Sequence, residues 1–336
     1  MPPLDELLDC VQVVSIPTRT RFRGISVREA ALFDAPRGAS EFSSFIEYGP
    51  AEASAWLAAA IEFGWGALPK LRRSRIAVNA TVPAVSAAEV PEILARFDGC
   101  TTAKVKVAER GQTLADDLAR VRAVRETMGD DAIVRVDANT NWTVDEAVTA
   151  LTALSEFDLD YAEQPCATVA ELAEVRGRLR GRVRIAADES VRKASDPLAV
   201  SRAGAADLLI VKVQPLGGIS RALDLIEQAA LPVVVSSALD TSVGIGMGLH
   251  LAAALPDTLG DGSPALAGAC GLGTVELLSG DVVSDSLVPR GGGIDVRRAI
   301  LDPDLLHRYR ATPDRERWWR ERIAACHSLL DRPESR

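Results

Sequence analysis

Three carboxylates and three lysines define the chemistry open to this chain. Asp137, Glu163 and Asp188 are separated by 26 and 25 residues. Each stands at or near the C-terminal end of a short β-like run: Ala132 to Asp137, Asp160 to Glu163, and Arg184 to Asp188. Helix-like segments lie between them. That beat predicts successive βα units of a parallel barrel, whose strand ends converge on one face. Three like charges meeting there would raise one another's pKa unless a cation were bound. Hard oxygen donors with open positions suit Mg²⁺, with Mn²⁺ as the alternative ion.

The lysines frame this cluster. The chain has five lysines (Lys70, Lys104, Lys106, Lys193 and Lys212) against 33 arginines. Arginine therefore supplies ordinary surface charge, yet three of the five lysines lie in β-like runs where a long cation is rare. Lys104 and Lys106 share one strand face. Lys212 lies in Leu208 to Val213, on the far side of the carboxylates. A divalent cation flanked by lysines suits removal of a proton next to a carboxylate, because the cation offsets the charge of the enediolate. A lysine base needs a lowered pKa, which burial and a neighbouring cation both provide. Any one of these residues alone could be a helix cap or an edge-strand surface charge; the joint pattern is hard to obtain that way.

The elements that must position these groups fit the length. A chain of 336 residues holds a barrel of about 250 residues and a smaller domain. Hydrophobic content of 47 % is globular. A net charge of -9 and a pI near 5.1 argue against a nucleic-acid partner. Five scattered cysteines without a CxxC pair favour reduced thiols and a cytoplasmic setting. No signal segment precedes Asp5 and Glu6, and no apolar run is long enough to span a membrane.

In order, residues 1–80 read as a small α+β domain. Val11–Ile16 and Ile25–Phe33 read as strands with a basic loop Arg19–Gly24 between them, Gly38–Tyr48 reads as a second loop, and Ala51–Phe63 as a helix. Ile76–Val85 reads as one strand crossing into a barrel at 81–295, with Thr102–Val107 as its first strand. Gln112–Met128, Val144–Leu154 and Val169–Leu179 read as helices, the second capped by Thr143 and Glu146. Ser237–Gly244 opens a buried helix whose free N–H groups could hold a carboxylate. Residues 296–336 read as a helix pair with Trp318 and Trp319.

Together these motifs resemble the enolase superfamily, most closely its o-succinylbenzoate synthase family of actinobacterial type. The resemblance rests on Lys104-x-Lys106, Asp137-x-Asn139, Glu163-Gln-Pro, Asp188-Glu-Ser and Lys212-x-Gln-Pro, and spans nearly the whole chain. It implies a modified TIM barrel, (β/α)₇β, under an N-terminal α+β capping domain, with the C-terminal segment returning to the cap. It implies Asp137, Glu163 and Asp188 as ligands of Mg²⁺, with Asn139 and Glu189 beside them. Lys106 is then the base, Lys104 supports its pKa, and Lys212 stabilises the enediolate from the opposite face. Arg21, Phe22 and Arg23 resemble a mobile cap loop and Ser43 a second lid segment. Ser236, Ser237, Thr241 and Gly244 are placed at the succinyl end of the substrate.

The activity so implied is a hydro-lyase reaction in menaquinone biosynthesis: syn dehydration of 2-succinyl-6-hydroxy-2,4-cyclohexadiene-1-carboxylate to o-succinylbenzoate. Two lysines on opposite faces also suit an N-succinylamino acid racemase or a dipeptide epimerase. An inert barrel is the third reading, disfavoured because buried lysines cost stability. The partners expected are a small carboxylate substrate, no nucleic acid and no membrane, in a monomer or weak homo-oligomer.

Overall fold

A computed structural model describes residues 1–22, 24–192 and 196–331, with Phe22 described in its backbone only. The chain opens with helix α1 (Leu4–Cys10), which leads into strand β1 (Val11–Phe22). β1 pairs antiparallel with β2 (Ile25–Phe33), and β2 with β3 (Ser40–Phe42). Both faces of this sheet are covered, so both read apolar. Val14, Ile16, Ala30 and Leu32 turn toward the main core. Val13, Ala31, Phe33 and Phe42 turn toward a second core with Trp56 and Trp319. Trp56 lies on α2 (Pro50–Trp65), an alanine-rich helix begun by a proline in its first turn.

Two segments expected as loops are strand in part. β1 runs through Arg19 and Arg21 to Phe22, which pairs with Ile25. Alternating Thr18, Arg19, Thr20 and Arg21 suit a twisted two-stranded ribbon. Ser40–Phe42 is strand because β2 supplies its partner, with Glu41 opposite Leu32.

The expected single strand at Ile76–Val85 is two strands with different partners. β4 (Arg75–Ala77) pairs with β12 (Gly293–Asp295), whereas β5 (Ala80–Val82) runs parallel to β6 (Thr102–Lys106). The parallel barrel therefore starts one strand earlier than expected, at β5. α3 (Val90–Leu94) links β5 to β6.

From β6 the βα beat holds. α4 (Leu114–Met128) precedes β7 (Ile133–Asp137), α5 (Val144–Leu154) precedes β8 (Leu159–Glu163), and α6 (Val169–Leu179) precedes β9 (Arg184–Ala187). Each of these helices starts with a reciprocal cap: Thr113 with Asp116, Thr143 with Glu146, and Thr168 with Glu171. The short α7 (Glu189–Arg192) and α8 (Ala199–Arg202) lead to β10 (Leu208–Val211). α9 (Val213–Leu216) and α10 (Ile219–Ala229) lead to β11 (Val233–Val235), followed by α11 (Ser242–Ala254), every residue of which is buried.

The seven parallel strands run in the order β11-β10-β9-β8-β7-β6-β5. The segment 265–271 closes the ring. Gly271 N donates to Val235 O at 2.8 Å on one side, and Cys270 N donates to Ala77 O at 2.8 Å on the other. Outward-facing Val105, Val136, Ile185 and Val211 pack beneath the helices. Inward-facing Tyr161, Ala186, Leu208, Ile210 and Val234 fill the ring.

The chain then returns to the cap through α12 (Pro303–Arg308) and α13 (Pro313–Leu330). Residues 309–311 lie along the free edge of β1. Ser15 N donates to Tyr309 O at 2.8 Å, and Ala311 N to Val13 O at 2.9 Å. Trp319 of α13 is fully buried against Phe42, ring centroids 5.4 Å apart. Among the described residues, no helix is long and apolar enough to cross a membrane.

Candidate active site

Strand alternation puts the expected residues inside the ring. Lys106, Asp137 and Glu163 are direct neighbours in register across β6, β7 and β8. Lys104 lies one inward position below Lys106, opposite Arg135. Asp188 follows the last residue of β9, Lys212 follows β10, and Ser236 follows β11. Asp137, Glu163 and Asp188 are at most 1 % exposed, and the three lysines at most 8 %.

Each carboxylate meets an ammonium. Lys104 Nζ donates to Glu163 Oε2 at 3.0 Å and stands 3.6 Å from Asp137 Oδ2. Lys106 Nζ donates to Asp137 Oδ2, and to Asn139 Oδ1 at 2.6 Å. Lys212 Nζ donates to Asp188 Oδ2. Burial opposes ionisation of Asp137, but Lys106 and Lys104 overcome it and hold its pKa well below the carboxylate range. Burial likewise opposes ionisation of Asp188, and Lys212 and Arg192 overcome it. Glu163 is the exception: burial, then the charge of Asp137, pushes it up to about 7. Burial favours the neutral form of Lys104, yet Glu163 and Asp137 outweigh burial and raise its pKa. For Lys212 burial prevails over Asp188, and its pKa falls.

With ammonium groups between the carboxylates, no three acidic, histidine or cysteine side chains among the described residues form a ready-made metal cage. The donor set nonetheless fits a hard divalent cation. It is all oxygen, and it comes from three adjacent strand ends. A cation at Asp137, Glu163 and Asp188 would take over the pairing that the lysines now provide.

Asn139 and Glu189 stand beside the carboxylates. Asn139 N donates to Asp137 Oδ1 at 3.0 Å, and Asn139 Nδ2 to Glu189 Oε1 at 3.4 Å. Gln164 holds the turn beside them, its Oε1 accepting from Asp188 N at 2.9 Å.

The cavity at the mouth is lined by Lys104, Lys106, Lys212, Asn139, Ser236, Ser237 and Thr274 among others, and encloses only ≈ 20 Å³. That is room for about one water, so a substrate requires the side chains that line it to move aside. Ser236 and Ser237 thus stand with the lysines. Ser237 Oγ lies 2.7 Å from Thr274 Oγ1, a neighbour the sequence reading passed over.

Ser43, Thr241 and Gly244 are brought together elsewhere. They surround Glu41, a cap residue with no exposure. Glu41 Oε2 accepts from Thr241 Oγ1 at 2.5 Å, Thr241 N at 3.2 Å and Gly244 N at 3.0 Å, while its Oε1 accepts from Ser43 Oγ at 2.6 Å. The start of α11, expected to receive the substrate carboxylate, receives the carboxylate of the cap instead. A buried side chain of the same chain offers oxygen acceptors to those free N–H groups without the entropy of binding. Gln214, two residues beyond Lys212, joins this junction: Ser43 N donates to its Oε1 at 3.0 Å. Arg21 is exposed on the β1–β2 hairpin and does not line the cavity. Arg23 and the side chain of Phe22 lie outside the described residues.

The fold has counterparts among known proteins. Residues 86–299 match the enolase C-terminal domain-like family, and residues 13–64 the enolase N-terminal domain-like family. A muconate lactonizing enzyme from Pseudomonas fluorescens superposes with a TM-score of 0.74 at 20 % identity, over 90 % of this chain and 98 % of that one. The L-Ala-D/L-Glu epimerase from Bacillus subtilis gives 0.71 at 21 %, over 87 % and 96 %. The chain is a member of the enolase superfamily, with the capped-barrel fold.

Sequence relatives narrow this. An o-succinylbenzoate synthase from Mycolicibacterium smegmatis is 54 % identical over 98 % of this chain and 99 % of its own length. One from Mycobacterium tuberculosis is 56 % identical over 98 % and 97 %. The chain belongs to the o-succinylbenzoate synthase family.

Proposed function

We infer that this chain dehydrates 2-succinyl-6-hydroxy-2,4-cyclohexadiene-1-carboxylate to o-succinylbenzoate, with Asp137, Glu163 and Asp188 as ligands of Mg²⁺. The observation that carries the reading is the convergence of Lys104, Lys106 and Lys212 from both sides of three buried carboxylates on one small cavity. The 54 % and 56 % identity to synthases over nearly full length supports the substrate. Bound there, the cation would stabilise the charge that develops on the substrate carboxylate.

The residues of the chain do the rest. Lys106, released from Asp137, removes the proton on the carbon bearing the carboxylate. The electrons of that C–H bond form the new ring double bond and expel the neighbouring hydroxyl. Lys106 returns its proton to that hydroxyl, which leaves as water, so both events use one face of the ring. Lys212 holds the accumulating charge as a cation from the opposite side. Lys104, kept charged by Glu163 until that carboxylate is engaged, then lowers the pKa of Lys106 by like-charge repulsion. Ser236 and Ser237 meet the succinyl arm. The reaction takes place in the cytoplasm.

The test is conversion of the cyclohexadiene substrate with and without Mg²⁺, followed as o-succinylbenzoate formation. Turnover that depends on Mg²⁺, is lost with EDTA and falls by about 10²–10⁴-fold in Lys106→Ala supports the reading. Failure to turn over the substrate with Mg²⁺ bound would sink it. Exchange of the α-proton of N-succinylamino acids in D₂O would then be the assay for the racemase alternative.

A further inference from the structure

Arg192 is 7 % exposed and sits at the end of α7. Its guanidinium serves three acceptors at once. Nε donates to Asp188 Oδ1 at 3.1 Å, Nη2 to Glu189 Oε1 at 2.6 Å, and Nη1 to Tyr48 Oη at 3.0 Å. Asp188 and Glu189 belong to the barrel; Tyr48 belongs to the cap. We propose that Arg192 is a positioning residue that transmits the seating of the cap, through Tyr48, to the carboxylate of Asp188. This rests on the reading that Asp188 is a ligand of the divalent cation.

The geometry makes the link stiff at each joint. A guanidinium is planar, with donors in a fixed fork, so its three acceptors set one plane and cannot move independently. The Asp188 carboxylate is gripped at both oxygens, by Arg192 at Oδ1 and by Lys212 at Oδ2. Lys212 must be free to serve a substrate, and Arg192 is the grip that stays. On the cap side, the Tyr48 ring packs edge-on to Phe45 and Trp56, at centroid distances of 5.6 and 6.1 Å. The backbone of that loop is held from behind by Arg322 of α13, which donates to Phe45 O at 3.1 Å and to Tyr48 O at 2.6 Å. The Tyr48 hydroxyl therefore presents itself to Arg192 only when the 43–48 loop is docked.

An alternative role for Arg192 is charge balance for Asp188 and Glu189, and one variant separates the two. Tyr48→Phe keeps the ring, its packing and every formal charge, and removes only the oxygen that Arg192 reaches. Mg²⁺ binding to the full chain is measured by calorimetry without substrate, beside the melting temperature, for Tyr48→Phe, Arg192→Lys and Asp188→Asn. The expected result is Mg²⁺ affinity about tenfold weaker in Tyr48→Phe, with kcat falling alongside and the melting temperature nearly unchanged. Arg192→Lys should lose at least as much, since an ammonium cannot span three acceptors in fixed directions. Wild-type Mg²⁺ affinity in Tyr48→Phe overturns the proposal, whatever happens to its stability. If Arg192→Lys does not fold, Tyr48→Phe decides alone. Wild-type Mg²⁺ affinity in Asp188→Asn instead overturns the reading of Asp188 as a ligand, and this inference with it.

Discussion

Two clusters of buried charge stand a few residues apart in this molecule, and they are built on opposite plans. At the ends of β6 to β10, Lys104, Lys106, Lys212 and Arg192 face Asp137, Glu163, Asp188 and Glu189. At the cap–barrel junction, Glu41 and Asp240 share Arg28, whose Nη2 stands 3.9 Å from Asp240 Oδ1. Hydroxyls and the free N–H groups of α11 make up the difference. The first cluster is matched in charge, and its flexible ammoniums can be exchanged for a cation and a substrate. The second is held by short, directional bonds to backbone and hydroxyls, which have nowhere else to go. One is arranged for turnover, the other for permanence.

The largest effect should come from breaking the matched side. Lys212→Ala is expected to lower kcat by on the order of 10²–10³-fold, since it removes a cation aimed at developing charge. Steady-state kinetics at saturating Mg²⁺ reads this, and a drop in stability without a drop in kcat would count against it.

Breaking the other side should show in stability. Glu41→Ala strands four buried donors and is expected to cost about 2–4 kcal/mol in urea denaturation. Glu41 also carries a pH signature. Burial, then Asp240, raises its pKa from 4.5 to about 7 in the folded protein. Folded Glu41 therefore holds a proton that the unfolded chain has lost, and its contribution to stability declines as pH rises from 4.5 through about 7. Glu41→Gln should flatten that decline. The charged groups facing Glu41 are Arg28 and Asp240, with Lys212 acting on Asp240.

A finer variant sharpens the contrast. Asp240→Asn removes one of the two carboxylates that share Arg28. The decline in stability should then be smaller and end at lower pH, because Glu41 loses a like charge. An unchanged profile would mean that burial alone sets Glu41. The smallest effect belongs to a hydroxyl outside both clusters. Thr143→Ala, which opens the exposed cap of α5, should cost about 1 kcal/mol and leave kcat unchanged.

The two clusters also differ in how far they can be read from sequence. Lys104, Lys106, Asp137 and Glu163 stand out because a strand's period of two is local, and a charge on its inward face breaks an apolar run within a few residues. The Thr143–Glu146 cap is legible for the same reason: both partners lie in one turn. Glu41 looked like a loop residue because its partners Thr241 and Gly244 are 200 and 203 positions away. Its strand exists only by pairing with β2. The split of Ile76–Val85 into β4 and β5 was hidden likewise, since one half takes its partner from Gly293–Asp295 and the other from Thr102–Lys106. Arg192 carried a faint local signal, four residues after Asp188 on a helical turn, but its cap partner Tyr48 is 144 positions away.

The edge of β1 that accepts residues 309–311 has a consequence for how the molecule is made. On a ribosome, β1 emerges before the barrel strands, which follow in order. Until Tyr309 and Ala311 leave the exit tunnel, the outer edge of β1 exposes unpaired backbone groups, which other chains can capture. Arg322, which steadies the loop bearing Tyr48, arrives later still. The barrel can therefore fold while synthesis continues, but the cap is completed only after residues 309–322 have been made. Each new copy thus acquires its seated cap after its barrel, and β1 waits for its last neighbour until nearly 300 further residues have followed it.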